Sequence, residues 1–387
     1  MGYVAVKGGQ DAISNAAELV EYYRWRERPQ PIEMAQFRPQ FRLLIDKVMG
    51  EGSLYAPEHA ALALQQVEGD VFEAAFILRA YRATLQRRYY SERLDTREMF
   101  VQRRISSAFR EIPGGQILGP TRDYTHRLLN PSLAQAQFGS IEKFLTGFAG
   151  HLRPEKLTGV TTFSKVIDLL TAEGVMRTDM YPDEDRRVVD ITREAVKFPA
   201  PRSARLQMLA RAETGGLMCL GYSSMRGYGD KHGTVGELRV GDVPVRVNDA
   251  SGRRRYIGKI KVSEGEMIGQ TRVRKTAAVP YLSVGYGLCF GQNETKAICM
   301  GMLDSALRIP NTDKPANNQE FVLYHTECVE SYGFTNHLKL PHYVTFQAGL
   351  QNLRDVVRRK DAQPEPTASP DLAPVAIQPE ARPSTRS

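Results

Sequence analysis

The sequence predicts an α+β fold, with helices and strands segregated along the chain. Apolar residues recur at helix spacing through about the first 110 positions. Four β-rich runs, separated by Gly, Asn, Asp and Ser, follow after about 216. Helical spacing then returns between about 293 and 359. The expected division is a mainly helical domain over 1–215, a β-meander with C-terminal helices over 216–360, and a disordered proline-rich tail over 361–387.

In chain order, Val4 to Val6 reads as a short strand and Gly8-Gly9 as a turn. Ile13, Ala16, Ala17, Leu19 and Val20 share helix spacing, and Pro29 and Pro31 break that run. Leu43, Leu44, Ile45 and Val48 mark a second helix, closed by Gly50 and Gly52. Residues 57–67 start on a first-turn proline. Asp70 is a good N-cap for the helix that carries Val71, Ala74, Ile77, Leu78 and Leu85. A further helix is expected over about 96–110, ending at Pro113-Gly114-Gly115. Residues 112–130 are rich in glycine and proline before a short helical stretch, 140–175 looks helical, and 168–187 is an acidic connection.

Beyond 216, the runs Met218–Tyr222, Val235–Val247, Tyr256–Val262 and Tyr281–Phe290 read as an antiparallel meander. Helices are expected at about 293–307, with Asn293 as cap, 317–331 and 343–359. From Asp361 onward the chain has six prolines and no aromatic residue, so it cannot bury a core.

At 387 residues the chain has room for one large domain or two to three smaller ones. No stretch is apolar enough for a membrane helix, and the first residues lack a signal peptide's apolar core, which points to the cytoplasm. Cys219, Cys289, Cys299 and Cys328 are sparse and irregular, as expected of free thiols. The net charge of +8 attracts anions without choosing among them, and no nucleic-acid module is present.

Three glycine-rich stretches are able to cradle phosphate through exposed backbone N–H groups: Pro113-Gly114-Gly115 with Gly119, Arg226 to Gly229, and Gly285 to Gly287 with Gly291. Each also suits an ordinary turn, and none is a P-loop or a GxGxxG fingerprint. Arg103-Arg104 precedes the first of them and is expected to face a ligand. His337 and His342 in NHLKLPHY converge only in an irregular turn, because Pro341 excludes a regular helix. With His325 and Cys328 one helical turn apart nearby, they can close a zinc site within the chain. Without a metal, one imidazole meets substrate or packs.

Several long blocks carry a resemblance to a known family. They are YVAVKGG (3–9), EGSLY with ALALQQVEGD (51–70), ILRAYRATL (77–85), RRIS with IPGGQILGPTRDYTHRLL (103–129), YSSMRGYGDKH (222–232), GYGLCFG (285–291) and FTNHLKLPHYVTFQ (334–347). In these the chain resembles the PhnI family of carbon–phosphorus lyase subunits, from its first residues to about 350. The resemblance implies a complex with other core subunits, including a radical iron–sulfur subunit, and with ABC-type ATPase subunits. It implies that phosphonate displaces adenine from ATP to give an α-ribose 1-phosphonate 5-triphosphate, and that the chain alone is a nucleosidase on ATP or GTP. It also implies that His337 and His342 bind Zn2+ together with a neighbouring subunit's cysteine. Cys328 is not a position of that pattern. The alternative is a scaffold subunit that only holds zinc and partners.

Breaking an N-glycosidic bond passes through an oxocarbenium-like state. It needs a carboxylate near C1′ and a proton donor near the base. Asp123 and His126 are the first candidates, with Asp190 and Glu237 behind them. Each carboxylate equally suits a helix cap or a salt bridge. Arg103, Arg104 and Arg226, with backbone groups at Gly114, Gly115 and Gly227, are expected to bind phosphate oxygens.

Overall fold

The computed structural model describes residues 9–27, 29–135, 138–151, 163–176, 188–226, 233–271, 281–308, 313–340 and 343–362. The strand expected at Val4–Val6, the glycine run 227–229 and the tail beyond 362 lie outside them. The chain forms two compact units, 1–335 and 336–387. The boundary expected at 215 falls inside the first.

The helical start comprises α1 (Gln10–Trp25), α2 (Met34–Gln40), α3 (Arg42–Gly52), α4 (Pro57–Gln66) and α5 (Val71–Thr84); all but α2, which contains Pro39, stand where the spacing predicts a helix. Asp70 caps α5, its carboxylate accepting from Phe72 N at 2.9 Å and Glu73 N at 3.2 Å. Val48, Met49, Ala60, Leu64, Ala74 and Leu78 close a core among α3, α4 and α5.

The expected helix over 96–110 is instead a 3-10 turn, Thr96–Glu98, followed by strand β1 (Phe100–Ile105). Phe100, Val101 and Ile105 favour a pleated surface, and an edge of the central sheet is there to pair with them. That sheet is the expected meander: β2 (Thr234–Asn248), β3 (Arg254–Thr271) and β4 (Tyr281–Phe290), all antiparallel, in the order β1-β2-β3-β4.

The remaining helices are α6 (Phe138–Ala149), α7 (Val166–Ala172), α8 (Arg202–Arg211), α9 (Thr214–Met225), α10 (Glu294–Ala306), α11 (Gln319–His325), α12 (Cys328–His337) and, in the second unit, α13 (Tyr343–Asp361). The short helical stretch near 130 is a 3-10 turn, Pro131–Gln135. Residues 140–175 are not one helix, since α6 and α7 are separate and 152–162 lie outside the described residues. The run Met218–Tyr222, read as a strand, lies within α9. Glu213 caps it by accepting from Gly215 N at 2.7 Å and Gly216 N at 2.5 Å. Gly221 then lets it pack on Cys299 and Met302 of α10. The single helix expected over 317–331 is α11 and α12, broken at Thr326-Glu327. Asn293 does sit before α10, but its amide donates to Asp46 O and Phe290 O, both at 2.9 Å, rather than capping. Among the described residues no helix is long and apolar enough to cross a membrane.

Helix α10 covers one face of the sheet. Leu238 and Cys289 pack there with Ala297, Met300 and Leu303. The approach is close enough that a Cβ on Gly285 would stand 1.9 Å from the Gly301 carbonyl oxygen. Gly285→Ala is therefore expected to cost about 1–3 kcal/mol of stability by overpacking, read as a lower urea midpoint at unchanged slope. The opposite face is half apolar, built on Met99, Val243 and Val262, and half charged.

Candidate functional site

Successive strand residues point to opposite faces, so Arg103 and Arg104 diverge. Both are buried. Arg103, on the α10 side, donates from Nε to the Glu294 carboxylate, from Nη2 to the Asp123 carboxylate, and from Nη1 to Leu118 O at 2.6 Å. Arg104 donates from Nε to Glu237 at 2.5 Å, from Nη1 to Pro113 O at 2.6 Å and from Nη2 to Ser164 O at 2.8 Å. Its guanidinium lies 5.0 Å from the Phe163 ring centre. Backbone bonds between Arg104 and Ile117, 2.7 and 2.8 Å long, complete the clamp. The arginines expected to gather phosphate thus fasten the glycine loop at both ends, through internal carbonyls and carboxylates.

Within that loop Gly114 and Gly115 take φ values of 85° and 74°, a region L side chains rarely adopt. Gly114 lies against Phe163, where a Cβ would collide with the ring, whereas nothing stands within 4 Å of a Cβ on Gly115. The loop leads into a tight turn, closed by Thr125 N donating to Arg122 O at 3.1 Å. Asp123 is half-exposed and fixed: it accepts from Arg103 and, at 2.7 Å, from the Thr121 hydroxyl, with Arg127 at 3.7 Å. His126 is exposed one turn along, as are Arg122, Arg127 and Tyr124, the last at 73%.

One short surface turn therefore presents a positioned carboxylate, an imidazole, an aromatic face and two guanidiniums. Arg122, Tyr124 and Arg127 were missed as candidates, although the TRDYTHR segment that holds Asp123 and His126 also contains them. Arg226 stands apart from this loop in sequence, at the end of α9, where Nη1 donates to the Tyr222 hydroxyl at 3.0 Å. Gly227 lies outside the described residues. Asp190 pairs with Arg87 at 2.5 Å. Desolvation opposes its ionisation, but bonds from Thr192 and Arg87 outweigh it and hold the carboxyl at about 2.

Behind the loop, the charged half of the sheet carries Arg104, Glu237, Arg239, Glu264, Glu266 and Tyr286, with Lys165 laid over them; all but Tyr286 are almost fully buried. Arg239 Nε donates to Glu264 at 3.0 Å, Lys165 Nζ to Glu264 at 3.0 Å and Tyr286 OH to Glu264 at 2.9 Å. Burial would raise Glu264, but Arg239, Lys165 and the Thr96 hydroxyl prevail and hold it at about 2. Burial pushes Glu266 the other way, up to about 7, with the Lys165 ammonium opposing and the Glu264 charge assisting. The sequence signal for this face is charge at every second position, Glu237-x-Arg239 in β2 and Glu264-x-Glu266 in β3.

The zinc reading within the chain is not supported by placement. His325 and Cys328 do not share one helix. His325 Nδ1 lies 2.7 Å from Phe321 O and its ring packs on Phe321. Cys328 is buried in the first unit, where burial pushes the thiol up to about 12 and Sγ lies 3.8 Å from Glu51. Among the described residues no group of three or more His, Cys, Asp or Glu side chains is arranged to hold a metal. His337 ends α12, followed by a tight turn in which Leu340 N donates to His337 O at 3.0 Å; His342 lies outside the described residues. Two imidazoles supply half of a tetrahedral set. Among the described residues, the donors therefore do not form a self-contained zinc site. All four cysteines are free thiols, with Cys219 exposed and the others buried.

Comparison with known proteins places this geometry in context. Residues 2–360 match the family described as "Bacterial phosphonate metabolism protein (PhnI)". The chain is 44% identical over 383 residues to the protein HtxH of Stutzerimonas stutzeri, covering 96% of this chain and 100% of that one. It is 44% identical over 366 residues to the "Alpha-D-ribose 1-methylphosphonate 5-triphosphate synthase subunit PhnI" of Rhizobium meliloti, covering 93% and 96%. The protein of that name from Escherichia coli is 42% identical over 358 residues, covering 91% and 97%.

Proposed function

The chain belongs to the PhnI family of bacterial phosphonate metabolism proteins, and on that premise we propose that it is a subunit of a carbon–phosphorus lyase complex in which phosphonate displaces adenine from ATP. The observation that carries this reading is likeness along whole chains to proteins named as synthase subunits for an α-ribose 1-methylphosphonate 5-triphosphate. In the reaction the C1′–N9 bond of ATP breaks and a C1′–O bond to phosphonate forms. Adenine leaves with a proton, and the triphosphate stays on C5′. The base of ATP is β and the product α, so phosphonate attacks from the face opposite the base, with inversion.

The loop supports this chemistry in physical terms. Asp123, held by Arg103 and Thr121, offers a fixed negative charge to the positive charge developing at C1′. His126 is the proton donor for the departing purine. Tyr124 offers a flat face on which a purine stacks, worth about 1–3 kcal/mol. Arg122 and Arg127 take the phosphate and phosphonate oxygens. Holding the phosphonate raises its effective concentration; without it water enters, which is the nucleosidase activity proposed for the chain alone. The other core subunits, including a radical iron–sulfur subunit, and ABC-type ATPases are the proposed partners. Exposed Phe144, Leu145 and Phe148 on α6 give them apolar surface to cover. His337 and His342 are proposed to share Zn2+ with a neighbour's cysteine, which would lend Lewis acidity or structural closure there.

The test is adenine release, followed by chromatography, from ATP with and without methylphosphonate, using the assembled complex. Wild type is expected to release adenine in step with phosphonate consumption, and Asp123→Asn to slow it by about 100-fold or more. Absence of adenine from the assembled complex would reduce the chain to a scaffold subunit. For the metal, the complex is expected to hold zinc that the isolated chain lacks and that His337→Ala removes. Equal zinc in the H337A complex, by elemental analysis, overturns that assignment.

A further inference from the structure

A cavity of about 220 Å³ lies between α5, α8 and the apolar half of the sheet, remote in sequence from the 112–127 loop. A dry cavity of about 150 Å³ is enough for benzene, so this one has room for a fused ring pair or a substituted ring. Its wall is apolar: Leu94, with Ile260 and Val262 of β3 and Leu288 and Phe290 of the adjacent β4. Its rim is not. Arg82 and Arg211 line it, with Thr192 and Gln207.

The guanidiniums there outnumber their carboxylates. Glu327 serves both Arg79 and Arg211, at 3.4 Å from Arg211 Nε. The Nε atoms of Arg79 and Arg211 are buried with no hydrogen-bond partner. Arg82 donates at 3.4 Å to Ser53 O, and no carboxylate lies within ion-pair distance of it among the described residues. Burial and the neighbouring charges of Arg79 and Arg211 push Arg82 below the ordinary arginine range, with Asp190 opposing. Behind the Gly50 wall lies Lys296, fully buried, its Nζ without a hydrogen-bond partner and 3.3 Å from where a Gly50 Cβ would stand. An apolar chamber lined by two guanidiniums, one without a carboxylate among the described residues and one sharing Glu327 with Arg79, suits a particular kind of molecule: a flat hydrophobic body fills the chamber while an anionic group satisfies the guanidiniums.

We infer that this cavity is a binding site for a small aromatic anion, its ring against Ile260, Val262 and Leu288 and its charged group on Arg82 and Arg211. The site is independent of the reaction proposed above and uses none of its residues. It offers the complex a second small-molecule input, on elements that join the helical start of the chain to the sheet.

The test uses the full chain and 1-naphthyl phosphate as probe. Methyl-labelled wild-type protein is expected to show shifts concentrated at Leu94, Ile260, Val262 and Leu288 on saturable titration. Arg82→Gln is expected to weaken binding by at least 10-fold, and inorganic phosphate to bind at least 10-fold more weakly than the probe. Three results overturn the inference: no saturable binding to wild type, methyl shifts that fall elsewhere, or phosphate competing as well as the probe does. The wild-type methyl map and the phosphate comparison decide the matter even if R82Q fails to fold.

Discussion

Replacing Arg104 by Met is expected to lower the unfolding free energy by about 3–5 kcal/mol. The reason is Glu237. Both side chains are almost wholly removed from water, and the carboxylate's other described bond is Val166 N at 3.2 Å. Removing the guanidinium leaves a buried charge with little compensation, and it also releases Pro113 O and Ser164 O, which Arg104 holds in place. Denaturant unfolding reads the loss. Arg104→Met with Glu237→Met should recover part of it, because exchanging a whole buried pair for apolar groups is far cheaper than breaking it. Recovery stays incomplete, since the two carbonyls remain unserved. A loss under about 1 kcal/mol in R104M would show that the clamp on the glycine loop is not what these distances imply.

Glu266 is the second large effect, and its sign is fixed by linkage. The carboxyl is raised to about 7 in the folded chain from its ordinary 4.5, chiefly by burial. Between those values the folded state binds more protons than the unfolded one, so stability falls as pH rises through that window. The fall from this group amounts to about 3 kcal/mol, at about 1.4 kcal/mol per unit. Glu264 acts in the opposite direction and elsewhere. Held at about 2, it contributes stability above its ordinary value that is lost only as pH falls below about 4.5. Glu266→Gln imitates the protonated form. It is expected to be more stable than wild type at pH 8, with the difference vanishing near pH 4.5. Urea midpoints at several pH values measure this, and a constant difference across the range would contradict it.

Periodicity was enough for much of this architecture. Helices α1, α3, α4 and α5, the three long strands and the final helix stand where apolar spacing and turn residues put them, whereas α2 has no such signal. The failures have local causes. Residues 100–105 carry a mixed pattern that only the free edge of β2 resolves into a strand. Residues 218–222 read as β from their apolar content, yet Glu213 and the contact with α10 make them part of helix α9. Arg103 and Arg104 were visible as a pair, but not that strand geometry would send them to opposite faces, each onto its own carboxylate. That fact turns them from ligand-facing groups into the supports of Asp123 and of the glycine loop. The charged sheet face was written as charges at every second strand position, and the network only becomes evident once strand register aligns Glu237 with Glu266 and Arg239 with Glu264.

Displacement at C1′ leaves a direct signature in the phosphorus NMR spectrum of the assembled complex turning over ATP with methylphosphonate. The free methylphosphonate signal is expected to give way to a phosphonate ester while the triphosphate signals persist, with one adenine freed per ester. Conversion of ATP to ADP and inorganic phosphate, with methylphosphonate unchanged and no adenine formed, would contradict it.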